Sequence, residues 1–121
     1  MPLHEVHRKH WLLFGADLTA QEYSIYDSSS ATADADRANL VRYAQVAMGL
    51  ALMHHSNCVQ PLQWDIKYRE CPEQDNGHDC GLYVMAFMDV LSMKTDRLYF
   101  DPSYARHMRD LCLVSILQGK V

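Results

Sequence analysis

Long hydrophobic runs are missing from this chain. Its apolar stretches fall well short of the length that spans a bilayer, so no membrane role is expected. The first residues carry Glu5 and histidines where an export signal would need an apolar core. Excess positive charge is also missing: 11 basic residues stand against 15 acidic ones, a net charge of −4, and no basic stripe alternates with aromatics. A nucleic-acid partner is therefore not expected. No glycine-rich phosphate loop and no internal repeat occur. The four cysteines (Cys58, Cys71, Cys80 and Cys112) are irregularly spaced, which fits free thiols in a reducing compartment better than a disulfide framework. Metal motifs are lacking too. His4-Glu5-Val6-His7 is one residue too short for the zinc-protease pattern, and His54, His55, Cys58 and Cys71 do not have the spacing of a zinc knuckle. Neither a metal nor an organic cofactor is expected.

What is present is hydrophobic content of 49% in 121 residues, enough for one folded domain spanning residues 1–121 with a core of moderate size. Residues 10–17 (HWLLFGAD) and 22–27 (EYSIYD) read as two strands of an antiparallel hairpin. A loop of small polar residues, 28–33, precedes a helix capped by Asp34 or Asp36 and running to about His54. Leu40, Ala44, Ala47, Leu50 and Ala51 supply its expected apolar face. Residues 59–68 read as another strand, interrupted by Pro61. A polar turn at 72–79 leads into a helix from Cys80 to about Ser92. Asp101-Pro102 begins the last helix, with Asp as cap and Pro at the first helical position. In that helix Leu111, Val114 and Ile116 are the apolar positions, and Arg106 and Arg109 are expected to face water.

The chemistry concentrates at CPEQDNGHDCG, residues 71–81. Cys80 begins an apolar helix, where the positive end of the helix dipole favours a thiolate, and Gly81 removes crowding where a substrate backbone must approach. The bland alternative is a small buried hydrophobe. His10 is the candidate general base. A turn centred near Leu18 and Thr19 sets it beside Asp27 or Ser28, close enough for an imidazole–carboxylate bond, which singles it out from His4 and His7. Asp27 would fix the imidazole tautomer; its alternative is an Asx turn into the serines that follow. Gln74 either donates to an oxyanion together with the Cys80 backbone N–H or merely solvates the turn that Asn76-Gly77 signals.

His10-Trp11, Tyr26-Asp27-Ser28 and the segment from Gln74 to Gly81 resemble the ubiquitin-like-specific (SUMO-specific, ULP/SENP) cysteine proteases, and the likeness covers nearly the whole chain. The resemblance implies an α+β, papain-like cysteine protease fold, with a central antiparallel or mixed sheet flanked by helices. It implies hydrolysis of the bond after a C-terminal Gly-Gly of SUMO or another ubiquitin-like modifier, on conjugates or precursors. Cys80 would be the nucleophile, His10 the base, Asp27 its orienter, Gln74 an oxyanion donor and Trp11 a lid over the glycine channel. A nuclear or nucleocytoplasmic location follows from the same resemblance. Full family domains are longer, so the chain is expected to lack the N-terminal part that supplies helices and much of the modifier-binding surface. A weak or inactive modifier-binding module, and a mobile-element or viral-type protease acting on a polyprotein, are the alternatives.

Overall fold

The structure is a computed structural model that describes residues 1–29, 34–94 and 98–119. Four strands form one mixed sheet in the order β1 (Pro2–Glu5), β2 (His10–Asp17), β3 (Glu22–Tyr26), β4 (Ile66–Tyr68). The first three strands are antiparallel, and β4 runs parallel to β3. Helix α1 (Ala35–His55) covers one face, and α2 (Cys80–Ser92) with α3 (Pro102–Leu117) covers the other. This is the α+β architecture expected from the sequence.

Side-chain alternation along β2 and β3 decides where everything goes. Leu12, Phe14, Tyr23 and Ile25 point to the α1 side, where Val41, Ala44 and Trp64 complete the core. Leu13 and Tyr26 point the other way, against Tyr83, Val84, Phe87 and Val90 of α2 and Phe100, Ala105 and Met108 around α3. Because both faces are buried, a one-residue slip would exchange the two cores, so the register is strongly fixed. His10 and Asp27 continue the α1-facing parity, whereas Trp11 belongs to the α2 face.

The hairpin turns one residue later than the sequence suggests. Asp17 pairs with Glu22, and the Asp17 carboxylate accepts from the backbone N–H groups of Thr19 and Ala20. β1 was not expected at all; it pairs Leu3 with Leu12 and Glu5 with His10. Of the strand expected over 59–68, only Ile66–Tyr68 pairs. Gln60 takes a left-handed conformation and Pro61–Gln63 forms a 3-10 turn, because proline brings no N–H to a ladder.

Asp34 caps α1, accepting from the Arg37 backbone N–H at 2.9 Å. The buried face of this helix differs from the expected one. Arg37, Val41, Ala44, Gln45 and Gly49 are buried, while Ala47, Leu50 and Ala51 are exposed. The stripe is chosen by the partners of Arg37 and Gln45, not by hydrophobicity alone. Gln45 donates to the Trp64 carbonyl at 2.9 Å. Gly49 sits where an added Cβ would come within 2.6 Å of Leu62, so α1 passes close to the 3-10 turn. In α3 only Ala105 and Met108 are buried; Leu111, Val114 and Ile116 are exposed, contrary to their expected packing, since the helix runs on past its contacts with α2. The loop expected over 28–33 lies outside the described residues from position 30 onward.

Candidate active site

The antiparallel hairpin brings the start of β2 and the end of β3 to one edge of the sheet, and this edge carries the site. His10 Nε2 meets Asp27 Oδ1 at 2.6 Å, and both side chains are about nine-tenths buried. The register places the contact diagonally, since Leu13 pairs with Tyr26 and Asp27 lies just past the end of β3. Asp27 Oδ1 also accepts from the Ser29 backbone N–H at 2.9 Å, and Oδ2 accepts from Arg37 at 2.6 Å. Burial works against ionisation of Asp27. The hydrogen bonds from His10 and the Ser29 N–H, together with the Arg37 guanidinium, outweigh it and hold the carboxyl below the usual carboxylate range. An ionised Asp27 accepts only, so the imidazole proton sits on Nε2 and the Nδ1 lone pair is left available.

Cys80 is the first residue of α2, buried, with Asp79 as its cap residue. The backbone N–H of Cys80 therefore belongs to the first turn, which lacks intrahelical acceptors. Trp11 lies beside this point: its Cδ1 is 4.0 Å from where a Cβ on Gly81 would stand. The chain itself would thus tolerate a side chain at position 81. The indole is 40% exposed and stacks on His4, with ring centroids 4.6 Å apart. The Cys80 thiol and the His10 imidazole are not hydrogen-bonded to each other, a looseness common at such sites without substrate.

Gln74 is tied to the strand that carries Asp27. Its backbone N–H donates to the Ser28 carbonyl at 2.8 Å, and the Ser28 hydroxyl donates to Gln74 Oε1 at 2.6 Å. Gln74 Nε2 donates to the Asn76 carbonyl at 2.6 Å, which fixes the amide orientation, because the flipped amide would turn its oxygen on that carbonyl, acceptor against acceptor. His10, Ser28, Gln74, Asn76 and Gly77 line a common cleft of about 380 Å³ together with Arg8 and Glu73.

The polar turn is held from two sides. Asn76 Oδ1 accepts from the N–H groups of His78 and Asp79, and its Nδ2 donates to Asp79 at 2.7 Å. From α3, Arg109 pairs with the buried Asp79 carboxylate and Arg106 with Asp75 at 3.1 Å. These arginines are exposed, as expected, and also brace the turn that leads into Cys80.

The sequence reading missed the charge cluster beneath the dyad. Arg37 is 1% exposed; its Nε and Nη2 grip both oxygens of Glu5, at 2.5 and 2.8 Å, while Nη1 reaches Asp27. The one available signal was a charged residue at position 37 of the helical stripe 37–41–44. Cys71 was not assigned a role. Its thiol donates to the Asp27 carbonyl at 3.3 Å, and burial pushes it up to about 11.

Residues 1–105 match the family model described as the Ulp1 protease family, C-terminal catalytic domain. The chain belongs to this protease family. Among solved structures it is similar to the SUMO protease Ulp1 with its catalytic cysteine oxidised to a sulfenic acid: TM-score 0.76, 28% identity, 98% of this chain and 52% of that one. It is also similar to the C-terminal Ulp1 protease domain in complex with Smt3, the yeast orthologue of SUMO: TM-score 0.63, 28% identity, 90% of this chain and 47% of that one. The chain thus spans about half the length of these structures. No curated protein sequence matches.

Proposed function

We propose that this chain carries the thiol-hydrolase centre of a protease that cleaves after the C-terminal Gly-Gly of a SUMO-like modifier. The observation that carries the reading is the His10–Asp27 pair, which leaves Nδ1 as the free base in a fold that also sets a cysteine at a helix start beside Trp11, the neighbour of His10. The Cys80 thiol gives its proton to His10 Nδ1 and the sulfur attacks the carbonyl carbon of the last glycine. Negative charge develops on the carbonyl oxygen, where the Cys80 backbone N–H and a Gln74 amide N–H donate. His10 then returns the proton to the departing lysine amine, leaving a thioester. Water, deprotonated by His10, attacks the thioester and releases the modifier and the thiol.

Trp11 supports the choice of substrate. A half-exposed indole beside Gly81 narrows the approach to the thiol, and a tail of two glycines passes where a side chain would collide. The Smt3-bound relative supports a SUMO-class partner. The family reading also assigns the protein to the nucleus or the nucleocytoplasm and to deconjugation of ubiquitin-like modifiers.

A second reading has one observation in its favour: Cys80 and His10 are not hydrogen-bonded, as in a module that holds a modifier without cleaving it. Release of a fluorophore from a SUMO C-terminal amide separates the two. Turnover by the wild-type chain and none by Cys80→Ala supports hydrolysis. Equal signals from both, or modifier binding without turnover, sink it.

A further inference from the structure

Nothing in the proposed chemistry uses Arg37 or Glu5, yet together they form the most deeply buried charged pair among the described residues. The geometry points to Arg37, gripped by Glu5, as the positioning residue for Asp27, and hence for the imidazole. This inference rests on the protease reading above.

The guanidinium is a planar fork with five N–H donors. Two are spent on Glu5 in a bidentate pair, which fixes the plane of the fork. The remaining Nη1 edge then points at Asp27 Oδ2 and holds that oxygen at 2.6 Å. With Oδ2 held, the carboxylate cannot rotate, and Oδ1 is left aimed at His10 Nε2. The three anchors come from three elements: Glu5 on β1, His10 on β2 and Arg37 on α1. Glu5 and His10 are direct partners across β1 and β2, so the sheet itself sets their separation.

Charge matters as much as shape. Arg37 facing Asp27 alone would cancel the charge that supports the imidazolium. Glu5 restores it: Glu5 and Asp27 against Arg37 leave one negative charge, Arg8 at 3.9 Å from Glu5 being matched by Asp34 at 2.7 Å, and a protonated His10 neutralises it. The four groups are balanced when the imidazolium has formed. Removing Arg37 alone would strand Glu5 and Asp27 together, a loss that mainly reports on folding. The informative change replaces both members of the pair by apolar groups of similar reach, Glu5→Leu/Arg37→Met, which for a buried ion pair is often neutral for stability.

Two readouts follow on the full chain. The first is the proton resonance of the His10 imidazole N–H bonded to Asp27, assigned by its loss in His10→Ala. The second is kcat and KM on the SUMO C-terminal amide. The expected result is a double variant whose amide spectrum stays dispersed, whose His10 resonance is lost or moved upfield, and whose kcat falls about 100-fold at unchanged KM, the scale of a one-ångström misplacement. Arg37→Lys keeps the charge without the fork; it should show the same loss, and it decides the matter if the double variant does not fold. A folded variant that keeps the resonance, or keeps wild-type kcat, overturns the proposal. If the wild type releases no fluorophore, the protease reading fails, while the resonance still tests the positioning.

Discussion

Replacing Asp27 by asparagine exchanges one oxygen for an NH2 group and removes one charge. The present carboxylate accepts three hydrogen bonds, from His10, the Ser29 N–H and Arg37. An amide cannot accept all three. With its oxygen toward His10 and Ser29, its NH2 faces the Arg37 guanidinium, donor against donor. With its oxygen toward Arg37, its NH2 faces His10 Nε2, which must then become an acceptor. A hydrogen bond to a charged group is worth about 1.5–3 kcal/mol, so the second orientation wins. That orientation leaves the Ser29 N–H facing the NH2 group, a loss of about 1 kcal/mol, so a net preference of about 1 kcal/mol populates it about fivefold over the first. In that state the imidazole proton sits on Nδ1, and His10 cannot accept the thiol proton. Loss of the carboxylate that supports the imidazolium adds to this. The same exchange in a Ser-His-Asp triad costs about 10⁴ in kcat. The Asp27→Asn variant should therefore lose about a thousandfold or more in kcat on a SUMO C-terminal amide. Its stability should fall by about 2 kcal/mol, read as a shifted urea midpoint; the chain stays folded if it has the usual 5–15 kcal/mol. A folded variant within tenfold of wild-type kcat would refute the tautomer argument.

Other outcomes follow from the same geometry. Cys71 should resist iodoacetamide near pH 7, because its thiol ionises only near 11, and Cys71→Ala should leave hydrolysis intact; mass-spectrometric mapping that finds Cys71 alkylated at neutral pH contradicts this. Asp27 is held below the usual carboxylate range, so its contribution is complete above the unfolded value of about 3.9 and fades as pH falls through the lower folded value. Circular dichroism should then show that Asp27→Asn removes part of the wild type's loss of stability between pH 5 and pH 2, and identical acid profiles would contradict it. Trp11→Ala should leave the His10 resonance in place while letting tails ending in Ala-Ala be cleaved at rates nearer those of Gly-Gly; unchanged discrimination removes the indole from the steric filter.

The hairpin was legible because alternation, turn residues and two apolar faces all agree over residues 10–27. The start of α2 was legible for a similar reason: a polar turn and an apolar helix meet at Cys80. The His10–Asp27 contact was reached from a turn centred one residue early, and it survives because a diagonal contact tolerates that shift. The rest depends on long-range partners that no local pattern announces. β1 is four residues long and gains its identity only by pairing with β2. The buried stripe of α1 runs through Arg37 and Gln45, whose acceptors lie 32 and 19 residues away in sequence, so of the apolar face expected from periodicity Ala44 is buried and Leu40 half-buried, while Ala47, Leu50 and Ala51 face solvent. The arginines of α3 look like any exposed basic pair until Asp79 and Asp75 are brought opposite them.

The central claim is that Cys80 is a competent nucleophile for a modifier ending in Gly-Gly. Incubating the purified chain with a SUMO probe carrying an electrophile at its C terminus tests it most directly. The account predicts a covalent adduct mapped to Cys80, absent in Cys80→Ala and strongly slowed in His10→Ala. A folded wild-type chain that forms no adduct, or one that forms it at another residue, contradicts the account.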